Sequence, residues 1–147
     1  MTVKHSELTL ATEGRGHTID LTETITSWTH EIGARDGLLN VFVPGSTGAV
    51  TTIEFEPGCL QDLVEALEKI APSDRTYHHD RKWGDGNGFS HLRAALLGPS
   101  VTVPVAAGRC VLCTLQQVVL VDSDRRPRTR QLVLSFVGEA ALSLIHI

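Results

Sequence analysis

Residues 38–43, LLNVFV, form a nearly unbroken apolar run opened by Gly37, and no other stretch limits the fold as much. With almost no polar alternation, the run fits a central strand buried on both faces, which requires a sheet around it and a layer over each side. The rest of the chain supplies that sheet. Residues 3–12 alternate, with Leu8 and Leu10 on one face and Glu7 and Thr9 on the other, as in a half-buried strand. EGRG, residues 13–16, is a turn and residues 17–20 a short return strand, so the chain is expected to open on a hairpin. Residues 49–55 read as a strand ending near Glu54. Val101, Val103 and Val105 alternate, Ala107 and Gly108 turn, and residues 111–121 and 130–137 read as longer strands across the turn SDRRPR.

Three helices are expected among these strands. Asp20 and Glu23 have capping-box spacing, ahead of a stripe of Leu21, Ile25, Trp28 and Ile32 that stops at Gly33; His30 lies off it and reads as solvated. Pro57 and Gly58 introduce a helix over residues 59–70 with Leu60, Leu63, Val64, Leu67 and Ile70 on one face. A third helix is capped by Asn87 or Gly88, places Leu92, Ala95 and Leu96 on one face, and stops at Gly98 and Pro99.

The 147 residues are enough for one domain with a core. A hydrophobic content of 41% with 20% charged residues excludes the disordered and membrane classes. No apolar run approaches the roughly 18 residues a membrane helix needs, and the N-terminus lacks the apolar centre of a signal peptide; the expected compartment is the cytoplasm. A net charge of −4 carries no general attraction for nucleic acid. The basic residues of DRRPRTR, residues 124–130, are few and mixed with an acid, and read as a solvated turn. Three cysteines argue against a disulfide framework. Cys110 and Cys113 make a CxxC in a strand-like stretch, where residues three apart point to opposite faces, so they read as buried, inert thiols, as does Cys59. LSLIHI, residues 142–147, looks like a translated sequencing adapter and is set apart as a non-native tail.

Chemistry concentrates in residues 77–98, YHHDRKWGDGNGFSHLRAALLG. Its glycines let backbone approach a ligand, and His79, Asp85, Asn87 and His91 offer metal ligands, bases or hydrogen-bond partners. His91 falls in the first turn of a helix, beside free N–H groups that favour anions. Two further places present polar groups. The turn PGSTG, residues 44–48, can form a concavity of N–H groups for phosphate, although a tight turn needs the same residues and spacing alone favours that reading. Arg128 and Arg130 share parity with Leu132, Leu134 and Phe136, so they extend an apolar face toward a phosphate or carboxylate; closing a hairpin is the reading that spacing alone favours.

VPGSTGAVTTIE, YHHD, GDGNGFSHLRAALLGPSVTVPV, GRCVLCTLQQVVLV and RPRTRQLVLSFVGE, in this order, resemble the YjbQ family, also called the secondary thiamine-phosphate synthase enzyme family. The resemblance implies a compact α+β domain over residues 1–141, with a large mixed or antiparallel, sandwich-like sheet and about three helices, assembled as a homotrimer. It implies a weak ability to couple a pyrimidine diphosphate with a thiazole phosphate. Pro44, Ser46 and Thr47 match the family's strand-end motif, with Gly45 where the family has a His. Glu54, His79, Asn87, His91, Gln116, Arg128 and Arg130 match family positions, while Cys113 and Leu115 replace a Gly and a Trp.

Such coupling displaces pyrophosphate from a methylene carbon and builds negative charge on the leaving group, so it calls for cations and oriented donors. His79, His91 and Glu54 are the expected catalytic groups. Ser46, Thr47, Asn87, Gln116, Arg128 and Arg130 are expected to bind phosphate or substrate, and His79, His91 and Asp85 a divalent metal of the zinc or magnesium class. No organic cofactor is expected; the partner is a small phosphorylated metabolite, with no nucleic acid and no membrane. The alternatives are a non-catalytic metal- or phosphometabolite-binding module and a metal-assisted hydrolase.

Overall fold

The two ends of the chain form the longest ladder. In the computed structural model, which describes residues 1–141, β1 (Thr2–Thr12) lies antiparallel to the last strand with Thr2 opposite Gly138 and Thr12 opposite Arg128. The adapter-like tail lies outside the described residues. In chain order the other elements are β2 (His17–Asp20), α1 (Thr22–Glu31), β3 (Ala34–Phe42), β4 (Gly48–Ile53), α2 (Pro57–Ile70), α3 (His78–Trp83), α4 (Gly88–Leu97), β5 (Ser100–Ala106), β6 (Arg109–Cys110), β7 (Gln117–Asp122) and β8 (Arg128–Ala140). Two antiparallel sheets result, one ordered β1-β8-β3-β5-β6 and the other β2-β7-β4. The α+β, sandwich-like expectation holds, with the sheet divided in two and antiparallel. Among the described residues no helix is long and apolar enough to cross a membrane.

The core lies between the sheets. Leu39 and Val41 of β3, Val103 and Val105 of β5, and Leu132, Leu134 and Phe136 of β8 face Val50, Val118 and Leu120 of the smaller sheet, with Leu21, Ile25 and Trp28 closing one side. The other face of the small sheet, including Ala49, Val119 and Val121, is also buried, because α4 packs on β4. The stripe expected for α1 is the one observed. Its expected capping box does not form: the N-cap is Leu21, which makes no side-chain cap bond, and Asp20, one residue earlier, accepts from the Thr22 N–H at 2.9 Å instead.

Several expectations change. β3 is central, but only one of its faces is covered, and Leu38 remains 48% exposed. The opening hairpin does not form, because β2 pairs with β7. The intervening turn carries the chain across to the other sheet, held by the Arg15 and Gly16 N–H groups on the Asp124 and Asp122 carbonyls at 2.6 and 2.7 Å. The strand expected over residues 111–121 shortens to β7. Before it, Gln116 Oε1 accepts from the Cys113 N–H and Gln117 Nε2 donates to the Thr114 carbonyl, side-chain bonds that offer the backbone an alternative to a ladder. Cys110 therefore ends β6 and Cys113 sits in a loop; all three cysteines are free, but they are not buried as expected, since Cys113 is exposed and Cys59 and Cys110 are only half-buried. Burial pushes the Cys110 thiol up, outweighing hydrogen bonds from Thr29 and Thr26, which agrees with an inert thiol.

Helix α4 turns a different face inward from the one its leucines suggest. Leu92 and Leu96 are exposed, while Ser90, Arg93 and Ala94 are buried. Ser90 Oγ donates to the Ser123 carbonyl at 2.6 Å. Arg93 lies over the Phe89 ring, donates twice to the Ala71 carbonyl and meets Glu68 Oε2 at 2.6 Å. These bonds rotate the helix and hold α2 against it.

Candidate functional site

Residues 78–83, expected as loop, form a fourth helix because Asp80 caps it. Its Oδ2 accepts from the Tyr77 N–H and its Oδ1 from the Gly88 N–H, each at 2.9 Å. One carboxylate thus joins the starts of α3 and α4, which places His79 and His91 side by side with ring centroids 4.4 Å apart and planes tilted by 41°. The backbone bonds hold the Asp80 carboxyl below its usual range, the Tyr77 N–H contributing most.

These rings line an open cleft of about 350 Å³ together with Gly45, Ser46, Thr47, Asp85, Asn87, Arg128 and Arg130. Eight of the ten residues expected from sequence are therefore in one place: His79, His91, Asp85, Asn87, Ser46, Thr47, Arg128 and Arg130. Glu54 and Gln116 are elsewhere. Gly48 opposite Asp122 and Ile53 opposite Gln117 mark the two ends of the small sheet, and a strand of this length puts those ends about 17 Å apart at ~3.3 Å per residue. The cleft sits at the Asp122 end. Glu54 follows the far end, and Gln116 lines a separate cavity with Thr26 and Cys110.

The arginines are more committed than sequence suggested. Arg130, 4% exposed, donates from Nε and Nη2 to the two oxygens of Asp122 at 2.8 and 2.9 Å, and from Nη2 to Thr47 Oγ1 at 2.7 Å. Burial alone would raise the Asp122 carboxyl, but bonds from Arg130, Thr12 and the Asp124 N–H overcome it and hold it low. The same pairing raises Arg130. Its remaining nitrogen, Nη1, lies against Gly45, where an added Cβ would meet it at 3.1 Å. Arg128 Nη1 bonds Asp124 Oδ2 at 2.6 Å, which also accepts from Thr47 Oγ1 at 3.0 Å. Asp122 and Asp124 were missed as site residues. Their signal was a pair of acids directly after the apolar run of β7, facing two arginines at the start of β8.

The donor set suits a divalent cation. His79 Nδ1 is buried with no hydrogen-bond partner among the described residues, 3.4 Å from Asp85 Oδ1 and 3.8 Å from Asp80 Oδ1. The three lie close enough to share an ion, but both Asp80 oxygens already accept backbone bonds, so Asp85 is the available carboxylate. Asn87, with its amide nitrogen turned toward Asp85, donates to both carboxylate oxygens at 3.0 and 3.2 Å and fixes their direction. His91 is kept toward its neutral form, first by burial and then by repulsion from His79, with the nearby aspartates opposing. Neutral imidazole is the ligating form. His79 and Asp85 are thus the ligands in place for a zinc-class ion, whereas the expected ligand His91 packs its ring on His79 but lies, among the described residues, outside the set of atoms close enough to share an ion.

The family model described as "UPF0047 protein YjbQ-like" matches residues 6–139. A UPF0047 protein of Archaeoglobus fulgidus is 41% identical over 128 residues, covering 87% of this chain and 97% of its own. One from Methanothermobacter thermautotrophicus is 40% identical over 139 residues, covering 95% of both. Among solved structures, a YbjQ-like protein of unknown function from Sulfolobus solfataricus superposes with a TM-score of 0.88 at 26% identity, covering 94% of this chain and 99% of its own.

Proposed function

This chain belongs to the YjbQ-like UPF0047 protein family, and on that premise we propose that its histidine cleft is a divalent-metal site acting on a small phosphorylated metabolite. The reaction is the thiamine-phosphate synthase type: coupling of a pyrimidine diphosphate to a thiazole phosphate with release of pyrophosphate. One observation carries the reading. His79 from α3 and Asp85 from the following loop meet, with the His91 ring of α4 packed on His79, and the buried His79 Nδ1 has no hydrogen-bond partner among the described residues beside the Asp85 carboxylate.

A bound zinc- or magnesium-class ion would supply positive charge near the oxygens of the departing pyrophosphate. The chain's own groups bind and orient. His79 and Asp85, joined by His91 beside them, would hold the ion, and Asn87 sets the Asp85 carboxylate. Arg128 keeps guanidinium donors beyond the one given to Asp124, and with Ser46 and Arg130 Nη1 it offers fixed donors to phosphate oxygens. Thr47 is already hydrogen-bonded to Asp124 and Arg130 and serves mainly to join them.

A non-catalytic binding module is the second reading, favoured by the pairing of Arg130 with Asp122 and of Arg128 with Asp124. Calorimetric titration with zinc and magnesium, followed by an assay of pyrophosphate release from the two substrates, separates the readings. Metal binding that disappears in His91→Ala, with release above a buffer control, supports the enzyme. Metal binding without release supports the binder, and a His91→Ala protein with full metal affinity sinks the site.

We also infer self-assembly, as a trimer by the family resemblance. It is supported by an exposed apolar row across the larger sheet, in which Val3 and Leu38 flank Val137 and Pro104 lies opposite Leu38. Residence in the cytoplasm accompanies this reading, since the three cysteines are free.

A further inference from the structure

The arginines of the turn before β8 are not absorbed by the histidine cleft. Arg125 and Arg126, with Arg15 from the turn between β1 and β2, line a second cavity of about 330 Å³ that shares Asp85, Asn87 and Asp124 with the first as a common wall. We propose that this arginine cleft binds the phosphoryl group of an organic phosphate or diphosphate, as an anion site distinct from the histidine cleft.

Hydrogen-bond accounting supports an anion. Of the Arg125 guanidinium, Nη1 donates to the Asp85 carbonyl at 2.6 Å. Of the Arg15 guanidinium, Nε donates to the Arg125 carbonyl at 3.2 Å. The Arg126 side chain has no hydrogen bond or ion pair among the described residues. Most N–H groups of these three side chains therefore lack an acceptor among the described residues. The two carboxylates on the wall are engaged elsewhere, Asp124 with Arg128 and Thr47, and Asp85 with Asn87. The three guanidinium groups are exposed and meet water, which the oxygens of a phosphate displace by matching the guanidinium fork and adding charge.

The positioning is built into the backbone. Arg15 is a non-glycine residue at φ 56°, a conformation that persists only where its surroundings impose it. Here its N–H donates to the Asp124 carbonyl at 2.6 Å, directing the side chain toward the β7–β8 turn. Opposite it, Arg125 Nη1 lies directly against Gly86, at φ 67°, in the place a side-chain carbon would occupy. Any other residue at Gly86 would displace that guanidinium. A neighbouring cavity of about 340 Å³ shares Arg15 and Arg125 and adds Val64 and Phe89, an apolar surface for the organic part of the ligand. Arg93 also lines it but is committed to Glu68 and Ala71.

The test is calorimetric titration of the full chain with inorganic pyrophosphate in a metal-chelating buffer. Wild-type protein is expected to bind saturably, and more weakly as salt is raised. An Arg15→Gln/Arg126→Glu double variant should bind at least about tenfold more weakly, while His91→Ala binds as wild type. No saturable binding to wild type overturns the proposal. So does loss of binding in His91→Ala with retention in the arginine variant, which would move the anion to the histidine cleft. If the double variant melts lower than wild type, Arg126→Glu alone decides. That side chain makes no hydrogen bond or ion pair among the described residues, and unchanged pyrophosphate affinity there overturns the proposal.

Discussion

At Asp122 a carboxylate with no exposed surface accepts bonds from Arg130, Thr12 and the Asp124 N–H, and the charge balance of the cleft depends on it. Its carboxyl is held below the unfolded value against the effect of burial. The associated stability is therefore present above the ordinary carboxylate range and lost as pH falls through the folded-state value. Asp122→Asn leaves the Arg130 charge buried without its counter-ion, so the variant should lose about 3–5 kcal/mol at neutral pH. It should also show a flatter stability profile below about pH 4, both measured by urea denaturation across pH. Gly45 is the second decisive residue. It stands where the family resemblance places a His, but its φ of 126° is unfavourable for any side chain, and an added Cβ would press on Arg130 Nη1. Gly45→His should therefore destabilise by about 1–3 kcal/mol. A thermal melt at or above wild type would show that the turn accepts an imidazole.

Among the elements, α4 shows what sequence periodicity can and cannot reveal. Its ends were legible, because Asn87 stands at the N-cap position, although without a side-chain cap bond, and Gly98 with Pro99 stops it. Its inward face was not, because Leu92 and Leu96 suggested an apolar stripe while Arg93 and Ser90 made the buried bonds. Periodicity counts apolar residues, whereas a guanidinium that satisfies a carbonyl and a carboxylate can be buried as fully as a leucine. Arg93→Ala, which frees the Ala71 carbonyl and Glu68, should cost about 1–3 kcal/mol, while Leu92→Ala should stay within about 0.5 kcal/mol of wild type. Equal losses in urea denaturation would return the helix to its leucine face. The same limit hid α3, whose six residues have no apolar stripe and are held by Asp80. In contrast, α1 and the inward parity of Arg130, Leu132, Leu134 and Phe136 could be read directly, because each buries its own periodic face. The polar loop of residues 77–91 was legible as a site from its residue types. Its convergence with the PGSTG turn depends on β4 and β7 lying side by side, a pairing between distant segments that local pattern does not encode.

On the scale of the whole molecule, the two surfaces that matter face different ways. The histidine cleft lies at the end of the small sheet covered by α4, whereas Val3, Val137, Leu38 and Pro104 lie on the outer face of the larger sheet, across the core. The run of residues 38–43 has the composition of a strand covered on both sides, yet one chain covers only the face of Leu39 and Val41. Contact with further copies of the chain would supply the missing layer. A charge at the centre of that row should oppose assembly while sparing the fold, because Leu38 is already half exposed within one chain. Leu38→Lys should therefore lower the mass measured by sedimentation equilibrium toward that of a single chain, with secondary structure unchanged. All three proposed metal ligands come from one chain, so the dissociated variant should still bind zinc with the wild-type affinity. If dissociation instead abolished metal binding while the fold survived, His79, His91 and Asp85 would be an incomplete set, and a neighbouring copy would have to supply the missing ligand.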